Sequence, residues 1–489
     1  MLESPYGRNE QPGFQRFNIE THPAAPRVGM PRPFNPRVSK IRLASMLMHE
    51  VLQYRWKLRH SKYRRLALSR PCIYGVFSGR FGGFHPIKDR CTGCMRCVLE
   101  YPEMCRVERN PEFTKFADSY WMPNSPTASS TPVATVCYEA ETGKIPVKGM
   151  GYKGPFASGG WDSMWTDMSE IVRPTRDGVY GREYISTVVD IGRKPKRVTS
   201  LDGGLTAASR VTQVTLPVIF DYLPRNLNNE SIAASIVRAA RTVGTLFVAR
   251  PREVAAFQDD AHDSMAQIVS RRDIEERSGV VARARLVEYA ENRPEPYHEI
   301  RGLNSHAPVL CRLPLSKGVE RSVVEMAREG VDGFHLYANY HGQEVGALEP
   351  RFVGDLLRSV HRALVSESLR EEVTIIASGG ITQAEHVPKA IICGADLVAI
   401  DTTILVALQA GFAGECVSAE TGRIRVDHFD SEWGTQRLVN LLASWHDQLI
   451  EILSAMGMRD VRRSRGDVGR AMFNGDLEKE AFSDIEHRA

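Results

Sequence analysis

The sequence has no apolar run near the roughly 18 to 20 residues of a membrane-crossing helix. Its most apolar stretch, Val387 to Gly414, is broken by Lys389, Asp396 and Asp401, so a membrane-spanning chain is not expected. Net charge is also small: 63 Lys and Arg against 59 Asp and Glu leave +4, too little to argue for a nucleic-acid partner. The opening residues lack the charged and apolar regions of a secretory signal, and the expected location is the cytoplasm. The one G-x-G-x-x-G string, Gly149 to Gly154, lies in a stretch without the strand and helix of a dinucleotide-binding unit, and no cysteine occurs before Cys72, which leaves no N-terminal cysteine nucleophile of the amidotransferase kind. The nine cysteines are an odd number, with four of them crowded into positions 91 to 105. That is not the spread of a disulfide framework, and metal binding is the better reading.

A chain of 489 residues exceeds what one hydrophobic core usually supports, so two or three structural units are expected. Residues 1–40 are rich in Pro, Arg and Asn without apolar periodicity and read as an irregular arm. A helix starts at Ile41 after Ser39, with Leu43, Leu47, Val51, Tyr54 and Leu58 spaced to share one face. Between Val51 and Arg70 stand seven Lys or Arg and no Asp or Glu, a solvated face or a dock for an acidic partner. Segment 119–158 reads as a connector. The division is thus 1–70 arm and basic helix, 71–160 cysteine region and connector, 161–475 a larger α/β unit, and 476–489 a tail.

After Val214, β-branched runs alternate with helical stretches, the pattern of parallel βα units. Eight runs stand out: 216–220, 245–249, 266–270, 284–289, 308–313, 333–338, 373–377 and 397–400. With helices expected at 231–243, 319–329, 350–366 and 384–393, they fit a (β/α)8 TIM barrel, an open doubly wound sheet being the alternative. The fourth unit is the weakest, since 291–306 contains two prolines and offers no obvious helix.

Cys91, Cys94 and Cys97 form C-x2-C-x2-C, the tight half of a bacterial ferredoxin motif. Its short loops let three thiolates converge on one cubane, here a four-iron, four-sulfur cluster (4Fe-4S). The fourth cysteine of that motif is replaced by Tyr101, followed by Pro102; in two-cluster ferredoxins that cysteine serves the other cluster, so a single cluster is expected. The remaining ligand is assigned to Cys105 as the nearest, with Cys137 and Cys72 in reserve. Zinc shares the C-x2-C spacing, but the three-cysteine run with Pro102 favours iron–sulfur. A cluster moves single electrons and needs a redox partner. That makes the barrel a candidate for FMN, which exchanges one electron or two.

The run Val373 to Ile381, a helix, and then Cys393 to Thr403 read as strands seven and eight of a phosphate-binding barrel. A phosphate is expected near Ser378, Gly379, Gly380 and Thr402. These motifs, the segment Trp161 to Arg193, and the closing segment Glu432 to Leu442 through Met456 to Val461 resemble FMN-binding glutamate synthases of the short, archaeal-like kind, over roughly residues 85 to 475. The resemblance implies reduction of an iminoglutarate intermediate by barrel-bound FMN, fed through iron–sulfur clusters. By the same carry-over Gln267, Ser270 and Arg312 are flavin neighbours, Arg312 standing where a Lys is usual. The departures fall on the cofactor face: Ile219 to Leu223, Val248 to Pro251 and Tyr289 to Asn292 replace glycine-rich loops, and Asp401 stands where a Gly normally admits the phosphate. A carboxylate beside a phosphate is repulsive.

Two functions follow as expectations. The first is an iron–sulfur flavoprotein oxidoreductase acting on a small molecule as one of several protein subunits of a redox complex, docked through the arm and the basic helix end at 55–70. The second is a degenerate scaffold or electron relay without FMN. His335 reads as a core or lumen histidine, whereas Tyr340, His341 and Glu344 lie past a strand end, where barrel active sites collect.

Overall fold

The computed structural model describes residues 18–53, 62–67, 72–120, 130–147, 159–166, 184–194, 200–201, 204–205, 210–254, 263–414, 417–418 and 421–475. Eight parallel strands close into a barrel: β3 (Val218–Phe220), β4 (Phe247–Ala249), β5 (Met265–Val269), β6 (Leu286–Tyr289), β7 (Val309–Pro314), β8 (Gly333–Tyr337), β9 (Thr374–Ser378) and β10 (Leu397–Ile400). Each overlaps one of the eight runs read from the sequence. β10 pairs back onto β3 through Val398 with Val218 and Ile400 with Phe220. The strands are almost wholly buried because they carry helices outside and side chains within, which is why they read as near-continuous apolar runs.

The helices follow from local signals. Helix α5 (Glu230–Val243) starts where the Asn229 side chain accepts from the Ile232 amide and ends at Gly244 with φ +76°, a left-handed stop that glycine adopts without strain. Helices α7 (Val319–Arg328), α8 (Val353–Ser366) and α9 (His386–Ile392) lie in the expected stretches. The fourth unit does hold a helix, α6 (Glu295–Leu303). Pro294 and Pro296 fall at its cap and first turn, where a missing N–H costs no hydrogen bond, so they start this helix rather than break it.

The N-terminal unit is smaller. Strand β1 (Phe34–Val38) pairs antiparallel with β2 (Cys105–Arg109), bringing Val38 opposite Cys105. Helix α1 (Lys40–Leu52) follows β1, and helix α2 (Arg96–Glu100) carries the end of the cysteine run. Leu43, Leu66, Val76, Phe77, Tyr101, Met104 and Cys105 form a separate apolar core. Of the face expected on α1, only Leu43 is buried; Val51 is exposed, while Tyr54 and Leu58 lie outside the described residues.

This unit is fastened to the barrel by α3 (Pro111–Ala117) and α4 (Ser130–Thr142), the latter packed on α10 (Thr402–Ala407) and on the long helix α11 (Ser431–Ala455). Edge contacts between rings run from Phe113 through Phe116 and Tyr120 to Phe412 and Tyr340, each pair of centroids 5.4 to 6.0 Å apart. Arg437 on α11 is fully buried and donates to three backbone carbonyls from three segments: Ala407 at the end of α10, Ala24 of the arm at 2.8 Å, and Cys137 of α4 at 3.3 Å. One turn on, Asn440 donates to His22 and Ala140. The described part of the arm therefore lies along α11. Replacing Arg437 with Leu strands three carbonyls, each worth about 1–3 kcal/mol when buried without a donor. Urea denaturation of Arg437→Leu is expected to show a loss of about 3 kcal/mol or more; a loss below about 1 kcal/mol would mean that the three segments hold together without it.

Candidate functional site

Two constellations concentrate the chemistry. The first lies in the N-terminal unit, where Cys72, Cys91, Cys94 and Cys97 line one cavity together with Pro36, Tyr74, Gly93, Met95 and Val107. The loop is held open by left-handed backbone at Gly93 (φ +74°) and Met95 (φ 62°). A Cβ at Gly93 would strike the Phe34 ring at 2.4 Å, so only glycine lets the loop close over that ring. Among the described residues no group of three or more His, Cys, Asp and Glu is placed to hold a metal ion.

Val76 N–H donates to Cys72 Sγ at 3.4 Å, and the backbone amides of Gly93, Arg96 and Val98 favour the thiolates of Cys91, Cys94 and Cys97. Burial pushes the Cys91 thiol up to about 12, against the Gly93 amide, and raises that of Cys94. The hydrogen bond with Cys105 lowers Cys97 and raises Cys105. Cys105, the residue nearest in sequence and the first choice as fourth ligand, is not in the cavity lining. Pairing with Val38 fixes it as the first residue of β2 and turns its side chain into the apolar core beside Leu43 and Tyr101. Cys72 takes its place in the lining. Cys137, the other reserve, is buried against the barrel with its sulfur on the Val406 carbonyl at 3.8 Å.

The second constellation fills the barrel mouth. Inward-facing Arg312 forks onto Asp221 at 2.8 and 3.0 Å and reaches Glu288 at 3.2 Å. His335 bonds Glu288 through Nδ1 at 2.9 Å and Ser378 Oγ through Nε2 at 3.1 Å. All five side chains are buried or nearly so. Burial opposes ionisation of Asp221, but the Arg312 guanidinium outweighs it and holds the carboxyl at about 2. Glu288 is likewise lowered against its burial by His335 and Arg312. Asp401 behaves oppositely: burial and the neighbouring Asp221 push it up to about 7. Its carboxylate accepts from the Thr402 amide and caps α10.

The remaining expected residues separate. Gln267 turns away from the lumen: it pairs beside Val287, in the register that alternates with Glu288, and its amide reaches the Val280 carbonyl at 3.5 Å outside the barrel. Ser270 caps the next helix in a capping box with Asp273, which accounts for it without a ligand. Gly379 (φ +87°) and Gly380 (φ +74°) form the expected turn after β9. An added Cβ would meet the Ala338 carbonyl at 2.6 Å and Gly342 Cα at 2.5 Å, so their need for glycine includes close packing on the loop after β8. Tyr340 and Glu344 are buried in that loop, Glu344 paired with Arg351 at 3.0 Å. Asp221 and Glu288 were not singled out from the sequence; a lone carboxylate in an apolar strand was the available signal.

Arg312 neutralises two buried carboxylates, so Arg312→Met is expected to cost about 3 kcal/mol or more at neutral pH. The sign of the pH dependence should also reverse. In the native chain the lowered Asp221 contributes stability above the ordinary carboxylate range that is lost as pH falls through about 2. In the variant, burial of Asp221 is opposed only by His335 and the Tyr222 amide, so its pKa should rise and stability be lost as pH rises through the raised value. Denaturation across pH checks this; parallel profiles for the two proteins would contradict it.

Comparison with known proteins shows what the chain is similar to. The conserved region in glutamate synthase matches residues 350–459, spanning α8, β9, α9, β10, α10 and α11. Archaeal-type glutamate synthase (NADPH) of Thermotoga maritima is 23% identical over 478 residues, covering 82% of this chain and 91% of the relative. Archaeal glutamate synthase (NADPH) of Archaeoglobus fulgidus is 23% identical, covering 77% and 85%, and that of Methanocaldococcus jannaschii is 37% identical over 131 residues, 25% of this chain and 26% of the relative. Among solved structures, mandelate oxidase aligns with a TM-score of 0.38 at 16% identity over 62% of this chain and 97% of that one. By sequence, this chain is similar to archaeal-type glutamate synthases over most of its length, at 23% identity.

Proposed function

We propose that this protein is an iron–sulfur oxidoreductase of the glutamate-synthase kind, in which a cluster in the four-cysteine cavity exchanges electrons with the barrel. The observation that carries the reading is the single cavity lined by Cys72, Cys91, Cys94 and Cys97. Amide donors such as that of Val76 on Cys72 Sγ stabilise thiolate charge and tune cluster potential. The ring contacts from Phe113 to Tyr340 connect the N-terminal unit to the barrel mouth by direct packing.

For FMN, the fit turns on Asp401. Ser378, Gly379, Gly380 and Thr402 sit where the phosphate would lie. Asp401 occupies the Thr402 amide and adds a buried negative charge when ionised. With Asp401 neutral the turn accepts an anion; with it ionised the turn repels one. FMN, when bound, would supply the conversion between one-electron and two-electron transfer. Arg312 is held by Asp221 and Glu288, and the Glu288–His335–Ser378 chain can relay a proton to the turn. The same Arg312 fork and Asp401 cap favour a second reading, an electron relay whose barrel works without flavin.

A donor protein completes the proposal. Residues 40–109 carry fifteen Lys or Arg and five Asp or Glu, and Met48, Leu52, Ile73, Phe81 and Leu99 are exposed on this unit. Such an excess of positive charge with exposed apolar side chains suits an acidic redox subunit.

Anaerobically purified protein is expected to be brown, with about four irons per chain and absorbance bleached by dithionite; a colourless protein that binds zinc would overturn the cluster. Flavin retention is expected to fall as pH rises from about 6 to about 8, because Asp401 titrates near 7 and regains its charge. Asp401→Asn should remove that dependence and bind FMN about tenfold more tightly at the upper pH. FMN fluorescence titration of both proteins reads the difference. Binding by Asp401→Asn with an unchanged pH profile would contradict the role of Asp401, and no binding by either protein would establish the flavin-free relay.

A further inference from the structure

The ferredoxin-like run supplies three thiolates, and the structure discriminates between the two cysteines that could complete the set. Cys72 shares the cavity with Cys91, Cys94 and Cys97, and its sulfur interacts electrostatically with both Cys91 and Cys94. It stands at the start of a tight turn in which the Gly75 amide returns to the Cys72 carbonyl at 3.2 Å. The next amide along, that of Val76, donates to Cys72 Sγ at 3.4 Å. The turn thus orients the sulfur and prepares it to carry thiolate charge in the same way as the other three.

Cys105 differs in its setting. It is 1% exposed, belongs to the core with Leu43, Leu66, Phe77 and Tyr101, and does not line the cavity. Tyr101, standing where a two-cluster ferredoxin has its fourth cysteine, is buried in that same core, so the ground beneath the run is packed with side chains.

Resting on the cluster reading above, we infer that Cys72 is the fourth iron ligand, a ligand from outside the cysteine run.

The test uses the full chain, purified anaerobically, as wild type, Cys72→Ala, Cys72→Ser and Cys105→Ala. Each is measured for iron per chain and for electron paramagnetic resonance before and after dithionite. Circular dichroism keeps folding separate from ligation. Cys72→Ala is expected to fold and to drop from about four irons to about three or fewer, with a three-iron signal in the oxidised state; the serine variant should give an altered spectrum because oxygen replaces sulfur. Cys105→Ala is expected to keep its iron. Iron content and spectrum unchanged in Cys72→Ala, with loss in Cys105→Ala, would overturn the ligand assignment while leaving the cluster in place. A wild type that takes up no iron even after reconstitution would overturn the cluster itself and the assignment with it.

Discussion

The buried guanidinium of Arg437 is the constraint on which the relation between the two halves depends. It finds carbonyl partners on the arm, on α4 and at the end of α10, and the Trp433 ring lies 5.0 Å from it. Burial lowers its pKa to about 10, still far above neutrality, so the charge persists and must be met by carbonyl oxygens. Such a group is expensive unless every donor is satisfied. Satisfying it requires all three segments to be present at once. The cysteine unit therefore docks beside α10, the helix whose first residues form the turn capped by Asp401.

At the barrel mouth the same physics operates with opposite signs in neighbouring positions. Asp221 and Glu288 are held ionised by Arg312 and His335, whereas Asp401, with the Thr402 amide but no cation bonded to it, is raised by burial and by Asp221. Where environments drive adjacent carboxyls apart in this way, one is kept charged and the other made titratable near neutral pH. The Gly379–Gly380 turn keeps its shape, but the chain itself now supplies a negative group at the place where an anion would sit.

Most of the barrel was legible because buried parallel strands advertise themselves as short β-branched runs at regular intervals. The eight runs named from the sequence are the eight strands. What escaped was non-local or ambiguous. Pro294 and Pro296 hid helix α6, since proline both breaks helices and begins them. The pairing of β1 with β2 joins segments far apart in the chain, and its register determines which way Cys105 faces. For that reason sequence proximity favoured Cys105, while three-dimensional proximity favours Cys72. Gln267 went astray through a period-two question: in a strand, one residue separates lumen from outer layer. Asp221, Glu288 and Arg312 could be seen singly as charges in apolar strands, but their convergence depends on barrel closure. The arm and the basic stretch at 55–70 lie only partly within the described residues.

The account stands or falls on what the four sulfurs hold. X-ray absorption at the iron and zinc edges, on full-length protein purified without oxygen, addresses that directly. The account predicts an iron edge with a first shell of sulfur and a second shell of iron, the signature of a multinuclear cluster in the cavity lined by Cys72, Cys91, Cys94 and Cys97. A zinc edge with a single sulfur shell and no metal–metal distance would contradict it.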